Sequence, residues 1–291
     1  MRLRRWENDE HLEPEYARLL HAIAEHKPLA HYSVILHGSV LWGDRTTLRN
    51  GVPISDVDVL VVGEALSDLS AAASALRSIA NSDAVSAVPL FKLSVKFRTV
   101  GEIAVQQISA NELGALMHGR VLVGQSSFEI LRPDRIWFYE QASLAVATRL
   151  IYVAEQQREI ASSSYEWVLS RYLAARLILD IPTVGLLSKG IIGLSYTYRV
   201  TTFLDEHIEE VVAEGLPALQ DALLTALRTK QDPEGYDCLD IPAAANLLIC
   251  YSRTLGLIGA VPPNPGEFWR TSRPLDLRDR TLWNISSGAA W

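Results

Sequence analysis

Two short apolar segments limit most tightly what the first part of this chain can fold into. Ser33–His37 has an apolar centre and stops at Gly38, while Val57–Val62 follows Ser55 and ends before Gly63. Short apolar runs bounded by Gly and Ser are typical of buried strands. The two segments therefore predict two buried strands within the first 65 residues.

Further elements of the first half follow from periodicity and composition. Helical spacing of apolar side chains predicts a helix over Leu12–Lys27, and an Ala-rich and Leu-rich composition predicts another over Leu66–Ile79. Strict alternation predicts a strand at Phe91–Arg98, with Lys92, Ser94, Lys96 and Arg98 on its polar face. We expect next a turn at Val100–Glu102, a further strand over Ile103–Ile108 and a helix over Asn111–His118.

The second half carries helical signals. From about Arg135 onward, segments rich in Ala, Leu, Ile and Tyr predict helices at Trp137–Ala161, Tyr165–Leu179, Leu187–His207, Ile208–Thr229 and Pro242–Leu257. Pro262–Trp291 holds four of the 13 prolines and three of the seven tryptophans, which predicts an irregular tail. The expected fold is of the α/β (α+β) class, with a small mixed-sheet domain over residues 1–130 and a helical domain over residues 131–291.

Composition sets the class of protein. The chain has 291 residues, of which 48% are hydrophobic and 21% charged, so it is a folded globular protein long enough for two domains. Its net charge of −7 provides no general basic field, so tight binding of nucleic acid would need a local basic patch. The same acidic balance suits a cationic partner.

Cysteines and the chain start bear on the compartment. Cys238 and Cys250 are the two cysteines, and neither shows metal-ligand spacing to histidine, which argues against a disulfide framework and a zinc site. Met1–Glu10 is basic and then acidic without a following apolar run, and no long uncharged stretch occurs. We therefore expect a cytoplasmic protein that neither is exported nor spans a membrane.

The residues around the first two strands predict nucleotide chemistry. The first strand ends in Gly38-Ser39, where backbone N–H groups and a small side chain can approach a phosphate closely. Asp56 and Asp58 are two positions apart, so their side chains project from the same face of a strand. Such paired carboxylates suit Mg²⁺, which takes a few carboxylates together with substrate phosphates.

This arrangement resembles the DNA polymerase β-like nucleotidyltransferase superfamily, whose motif is Gly-Ser followed by Asp-x-Asp on a strand. The similarity covers about residues 30–65, and the matching positions are Gly38, Ser39, Gly43, Ser55, Asp56 and Asp58. The resemblance implies that Gly38, Ser39 and Ser55 bind a nucleoside triphosphate and that Asp56 and Asp58 are catalytic metal ligands. Ser39 and Asp56 are 17 positions apart, several more than is common in the superfamily, which implies an inserted loop over Asp44–Pro53.

A third acidic residue, common in that superfamily, is harder to place. On the alternating strand the equivalent positions are Lys92, Ser94 and Lys96, and on the following expected strand the position is Ala104. Glu102, two residues away, is the nearby candidate for a third catalytic carboxylate. Either Glu102 substitutes, or two carboxylates suffice, or the protein has lost transferase activity.

The helical half is similar to the C-terminal domain of aminoglycoside nucleotidyltransferases that modify streptomycin and spectinomycin. Leu173-Ala174-Ala175-Arg176 and the later Ser188-Lys189 match its Arg-helix and Ser-Lys pattern. The resemblance implies that Arg176 and Lys189 contact the triphosphate in a cleft between the domains, with Arg171 as an alternative to Arg176.

Three functions are consistent with these features. The first is Mg²⁺-dependent transfer of AMP from ATP to a hydroxyl of a small, aminoglycoside-like molecule, an activity that would give antibiotic resistance. The second is transfer to a protein or RNA in a toxin or defence system, with RNA ranked low because no extensive basic surface is visible. The third is a nucleotide-binding scaffold without activity.

Overall fold

The computed structural model describes residues 2–7, 12–82, 93–161, 163–213, 218–257 and 283–285, leaving aside the side chains of 66–68, 159, 207–213 and 283–285. The class is mixed α/β. The chain divides into two compact units. The first comprises the described part of Met1–Arg132 together with a short strand near the C-terminus, and the second comprises the described part of Pro133–Leu277.

A mixed sheet forms the first unit. Its strands are β1 (Arg4–Arg5), β2 (Ser33–His37), β3 (Val57–Gly63), β4 (Leu93–Thr99), β5 (Arg120–Val123) and β6 (Trp283–Ile285). They are arranged in the order β1-β5-β2-β3-β4-β6. β1 is parallel to β5 and β3 is parallel to β4, whereas the other neighbours are antiparallel. The two strands expected around the Gly-Ser and Asp-x-Asp motifs are thus confirmed as neighbours in the centre of the sheet.

Helices cover one face of this sheet. Helix α1 (Pro14–Glu25), a 3₁₀ turn (Lys27–His31) and helix α3 (Leu66–Ala80) pack on the side to which Val57, Val59 and Val61 point. The helix α1 begins with Pro14 in its first turn, where a missing N–H costs nothing, and it buries Tyr16, Leu19, Leu20 and Ile23. Because side chains alternate along a strand, Asp58 and Leu60 project from the opposite face.

One short helix after β4 replaces the expected turn and strand. Residues Val100–Ala104 form helix α4, so a turn at Val100–Glu102 and a strand over Ile103–Ile108 are wrong, whereas the helix expected over Asn111–His118 is confirmed as α5 (Ala110–His118). Both helices begin with a capping box, in which Thr99 and Glu102, and likewise Ser109 and Glu112, exchange side-chain and backbone hydrogen bonds. These S/T-x-x-E patterns are helix starts, and they override the strand propensity of the apolar residues that follow.

The polar face of β4 is only partly exposed. Arg98 is buried and lies 3.1 Å from the fully buried carboxylate of Glu112 in α5. Phe91 and Lys92, at the start of the predicted strand, lie outside the described residues.

The regular elements described in the second unit are helices. They are α6 (Arg135–Ile160), α7 (Glu166–Ser188), α8 (Tyr196–Ala213), α9 (Leu219–Gln231) and α10 (Ile241–Thr254). The predicted helix Leu187–His207 is wrong at its start, because α7 runs to Ser188 and Gly190 follows with φ +81°. The predicted boundary at His207 falls inside α8.

The C-terminal tail is described at one place. Trp283–Ile285 forms β6, and the rest of the predicted irregular tail lies outside the described residues. Among the helices described here, none is long and apolar enough to cross a lipid bilayer.

Candidate functional site

Gly38 and Asp58 lie against each other where β2 ends and β3 begins. His37 pairs with Asp58 across the two strands, and Gly38 follows with φ +79° and ψ −164°, a conformation that is essentially restricted to glycine. A Cβ atom on Gly38 would overlap the Asp58 carboxylate and lie 3.1 Å from its Cγ. The close approach of the Gly38 backbone to this carboxylate therefore leaves no room for a side chain at position 38.

The neighbouring motif residues surround this contact. Ser39 begins the four-residue helix α2 (Ser39–Trp42), which ends at Gly43 in the left-handed conformation. Asp56 immediately precedes β3, and the alternation of side chains places it on the same side as Asp58. Ser39, Asp56 and Asp58 are all half-buried, so each keeps a surface that a ligand can reach. The structure brings the residues of the Gly-Ser and Asp-x-Asp motifs together.

Ser55 is a buried residue that supports the chain just before Asp56. It is fully buried, its hydroxyl accepts a hydrogen bond from the Thr46 N–H at 2.8 Å, and its carbonyl accepts one from the Tyr16 hydroxyl at 3.1 Å. In this structure Ser55 therefore positions Asp56, and a direct contact between Ser55 and a nucleotide stays a prediction.

The loop between the two motifs is folded back on itself. Thr47 and Pro53 form an isolated bridge, and the Thr47 hydroxyl donates to Glu13 at 3.0 Å. Arg45 forms an ion pair with the same Glu13 carboxylate at the start of α1. The additional residues between Ser39 and Asp56 thus form a closed loop attached to α1.

Strand β4 contributes a hydroxyl and a cation beside the carboxylates. Ser94 pairs with Asp58 and Lys96 pairs with Leu60, and alternation places both side chains on the face of Asp58. The Lys96 ammonium donates to the Ser109 hydroxyl at 3.5 Å. The position next to Asp58 where a third carboxylate was sought on this strand is therefore occupied by Ser94.

Glu102 does not reach this end of the sheet, which corrects its expected place beside the aspartates. Its carboxylate accepts hydrogen bonds from the Thr99 N–H at 2.7 Å and the Thr99 hydroxyl at 3.0 Å. Thr99 pairs with Gly63, five residues along β3 from Asp58. At about 3.3 Å per residue this is a separation of about 16 Å. Ala104, the other expected position, is exposed on α4.

His37 is a buried neutral neighbour of the site. The pKa of His37 is lowered from 6.5 to about 3, first because burial disfavours the charged ring and then because Lys96 is close, while Glu112 acts in the opposite direction. Its Nε2 is buried and has no hydrogen-bond partner among the described residues. His37 is therefore a buried, uncharged neighbour of the motif at pH 7.

The site contains two carboxylates, those of Asp56 and Asp58, that could coordinate a metal ion. Within the described ranges, no group of three or more His, Cys, Asp or Glu side chains could hold a metal ion. Mg²⁺ needs fewer protein ligands, since one or two carboxylates with substrate phosphates and water complete its shell. Asp56 and Asp58 fit that smaller requirement.

The basic residues expected to bind phosphate lie in the second unit. Arg176, half-buried on α7, stacks over the rings of Tyr152 at 5.2 Å and Tyr172 at 5.5 Å, and Lys189 is exposed just after the helix. Arg171, the alternative, forms an ion pair with Asp237. Binding of triphosphate by Arg176 and Lys189 stays a prediction.

Sequence reasoning missed two further cations near Arg176. Lys230 on α9 is 1% exposed and lies 5.0 Å from the ring of Tyr172, and Arg149 on α6 forms an ion pair with Asp180. These residues come from three helices, so no local pattern could have grouped them.

We compared the sequence with protein-family models and with curated proteins. The sequence matches no protein-family model and no curated protein.

Proposed function

We propose that this protein is a Mg²⁺-dependent nucleotidyltransferase that transfers AMP from ATP to a hydroxyl group of a small molecule. The observation that carries the proposal is the contact of the Asp58 carboxylate with Gly38, with Asp56 and Ser39 beside it. It supports a single site in which a phosphate-binding backbone and two metal-binding carboxylates act on the same ligand.

The residues of the first unit have distinct roles in this reaction. The backbone at Gly38 and the Ser39 hydroxyl bind phosphate oxygens, and Ser55 fixes the loop before Asp56. Asp56 and Asp58 would hold Mg²⁺, which supplies positive charge that neutralises the phosphates and orients them. Lys96, on the same face, adds a fixed positive charge near the transferred group.

The transfer itself is an in-line displacement. The acceptor oxygen bonds to the α-phosphorus of ATP, and the bond from that phosphorus to the oxygen bridging to the β-phosphorus breaks. Pyrophosphate leaves with the electron pair, and the hydroxyl proton passes to water.

The second unit is proposed as a helical domain that supports binding of the triphosphate and acceptor. Its half-buried Arg176 and buried Lys230, which both lie over the ring of Tyr172, support an anionic ligand there. The net charge of −7 supports a cationic, aminoglycoside-like acceptor.

The first experiment measures binding. A thermal-shift titration with ATP and MgCl₂ should raise the melting temperature of the wild type, because a ligand that binds only the folded state stabilises it. Asp56→Asn and Asp58→Asn should lose most of this shift. The matched control is Asp221→Asn on the surface of α9, which should keep it. Equal shifts in all four proteins would contradict the assigned site.

The second experiment measures transfer. Pyrophosphate release from ATP is followed with streptomycin or spectinomycin as the acceptor, and we expect release by the wild type and at least a hundredfold less by Asp56→Asn. Release that survives in Asp56→Asn would remove the proposed role of the aspartates.

A second candidate function is nucleotide binding without transfer. This function is favoured by two observations. Ser94 occupies the position beside Asp58, and Glu102 lies in α4, beyond the far end of β4. Stabilisation by Mg-ATP that depends on Asp58, combined with no pyrophosphate release for any acceptor, would support this second function over the first.

A further inference from the structure

A groove of about 720 Å³ lies in the first unit where β1 joins the sheet. Its lining includes Arg2, Arg4, Arg5 and Arg120 together with the indole of Trp6. β1 runs parallel to β5, and the register of these two strands places Arg4 beside Arg120. The net charge of the chain gives no sign of this basic groove.

Within the described part of the chain, no ion pair neutralises the positive charge of the groove. Among the described residues, no carboxylate pairs with any of these four arginines, although Arg45, Arg98 and Arg149 each have an acidic partner. Arg5 donates to the Gly124 carbonyl at 3.0 Å, and Arg120 donates to the His118 and Gly119 carbonyls at 3.3 Å. Neutral carbonyl groups fix these two side chains and leave their charge in place. Glu7 is the one acidic residue in the described lining.

The wall and floor of the groove are apolar. Trp6 is half-buried and held by an edge-to-face contact with His21, with the ring centres 5.2 Å apart. Leu20, Leu36 and Val40 form a buried floor. Because the indole is fixed before any ligand arrives, stacking on it costs little side-chain entropy.

We propose that this groove, the arginine groove, binds a nucleotide unit, either as a free nucleotide or within a short single strand. Guanidinium groups bind phosphate with paired hydrogen bonds, and a fixed indole stacks on the flat face of any base. An anion without a ring would leave the wall and floor unused, and a protein partner would not need four guanidinium groups around one indole. This site is separate from the proposed transferase site and does not depend on it.

The test measures binding of a fluorescein-labelled oligo(rA) of about 12 nucleotides by anisotropy, in EDTA so that no Mg²⁺ is present. We expect wild-type binding that weakens steeply with salt. Arg4→Glu should weaken binding by about tenfold or more and reduce the salt dependence, because phosphate contacts release counterions. Trp6→Ala should weaken it by about tenfold with an unchanged salt dependence, because stacking involves no counterions. Arg228→Glu on the exposed side of α9 is the charge-matched control and should bind like the wild type.

Competition with AMP distinguishes a free nucleotide from a strand as the ligand, and the Asp58→Asn variant distinguishes this proposal from the transferase proposal. Displacement of the labelled strand by AMP at similar nucleotide concentration indicates a free nucleotide as the ligand, and resistance to AMP indicates a strand. Asp58→Asn should bind the strand normally, so failure of the transferase proposal leaves this result intact. The proposal is overturned if the wild type binds neither ligand, or if Arg228→Glu loses as much affinity as Arg4→Glu.

Discussion

Gly38 combines a backbone conformation reserved for glycine with the closest approach to a carboxylate that the described residues show at a glycine. Its φ of +79° and ψ of −164° exclude a side chain on conformational grounds, and Asp58 excludes one on steric grounds. The glycine is therefore needed for the local fold on both grounds.

We predict that Gly38→Ala lowers the free energy of unfolding by about 2–4 kcal/mol, from backbone strain and displacement of Asp58 together. The control is Gly43→Ala, which has a similar φ of +78° but open space around a new Cβ and should lose only about 1 kcal/mol. Urea unfolding measures both values. Equal losses would show that contact with Asp58 contributes nothing.

His37 makes the first unit sensitive to acid. Its pKa of about 3 in the folded state lies below the 6.5 of the unfolded chain, and Lys96, Glu112 and the paired Asp58 are the charged groups around it. Below pH 6.5 the unfolded chain binds a proton that the folded protein does not, so stability falls as the pH drops toward 3. The contribution of His37 to the free energy of unfolding is therefore fully present above pH 6.5 and is lost as the pH falls toward 3.

Between about pH 6 and pH 4 we predict that His37 removes about 1.4 kcal/mol of stability per pH unit. His37→Asn should lack this component, so its unfolding free energy should fall less between the two pH values than that of the wild type. Urea denaturation at each pH measures the difference. Parallel pH profiles of the two proteins would contradict the prediction.

At the scale of elements, local patterns predicted the strands that carry the motifs and the helices α3 and α5, but not the short helix α4. β2 and β3 are short apolar runs whose ends are marked by Gly and Ser, so neighbouring residues alone define them. The helix α4 begins at the capping box of Thr99 and Glu102, a pattern present in the sequence and overlooked in favour of the apolar residues after it. The error placed Glu102 near Asp58, when its carboxylate caps a helix.

Helix α5 uses the same capping box with an additional buried charge pair. Glu112 caps the helix by accepting from the Ser109 N–H at 2.6 Å, and it also neutralises the buried Arg98 of β4. Among the described contacts, Glu102 is half-buried and has the capping role without an ion pair. The two glutamates therefore share the capping role and differ in burial and in the ion pair with Arg98.

We predict that Glu112→Gln destabilises the protein by about 3–5 kcal/mol, because it leaves the charge of Arg98 buried without its acidic partner. Glu102→Gln keeps a side-chain acceptor at the cap and should cost less than about 1 kcal/mol. Thermal and urea unfolding give the two values. Similar small losses would show that Arg98 is stabilised by its other contacts instead.

At the scale of the whole molecule, the sequence predicted a mixed α/β class and a helical second half, because composition and periodicity are summed over long segments. It did not predict the arginine groove, because Arg4 and Arg120 are far apart in the chain and meet only through the pairing of β1 with β5. It also could not group Arg149, Arg176 and Lys230, which come from three helices. The net charge of the chain indicates neither the arginine groove nor this second group of cations.

Each unit has its own buried core, which predicts two unfolding transitions. Leu60→Ala in β3 and Leu248→Ala in α10 both truncate fully buried side chains and should each cost about 2–5 kcal/mol. We expect each substitution to lower only one transition in differential scanning calorimetry. A single transition that both substitutions lower would show that the chain unfolds as one cooperative block.

Helix α2 joins the two proposed ligand sites of the first unit. It is four residues long, with Ser39 beside the aspartates and Val40 and Leu41 in the lining of the arginine groove. Ser39 and Leu41 lie within this single helical turn, so it is an element through which a ligand in one proposed site would act on the other. Any such coupling would be reciprocal: the factor by which a bound strand changed the affinity for ATP would equal the factor by which ATP changed the affinity for the strand.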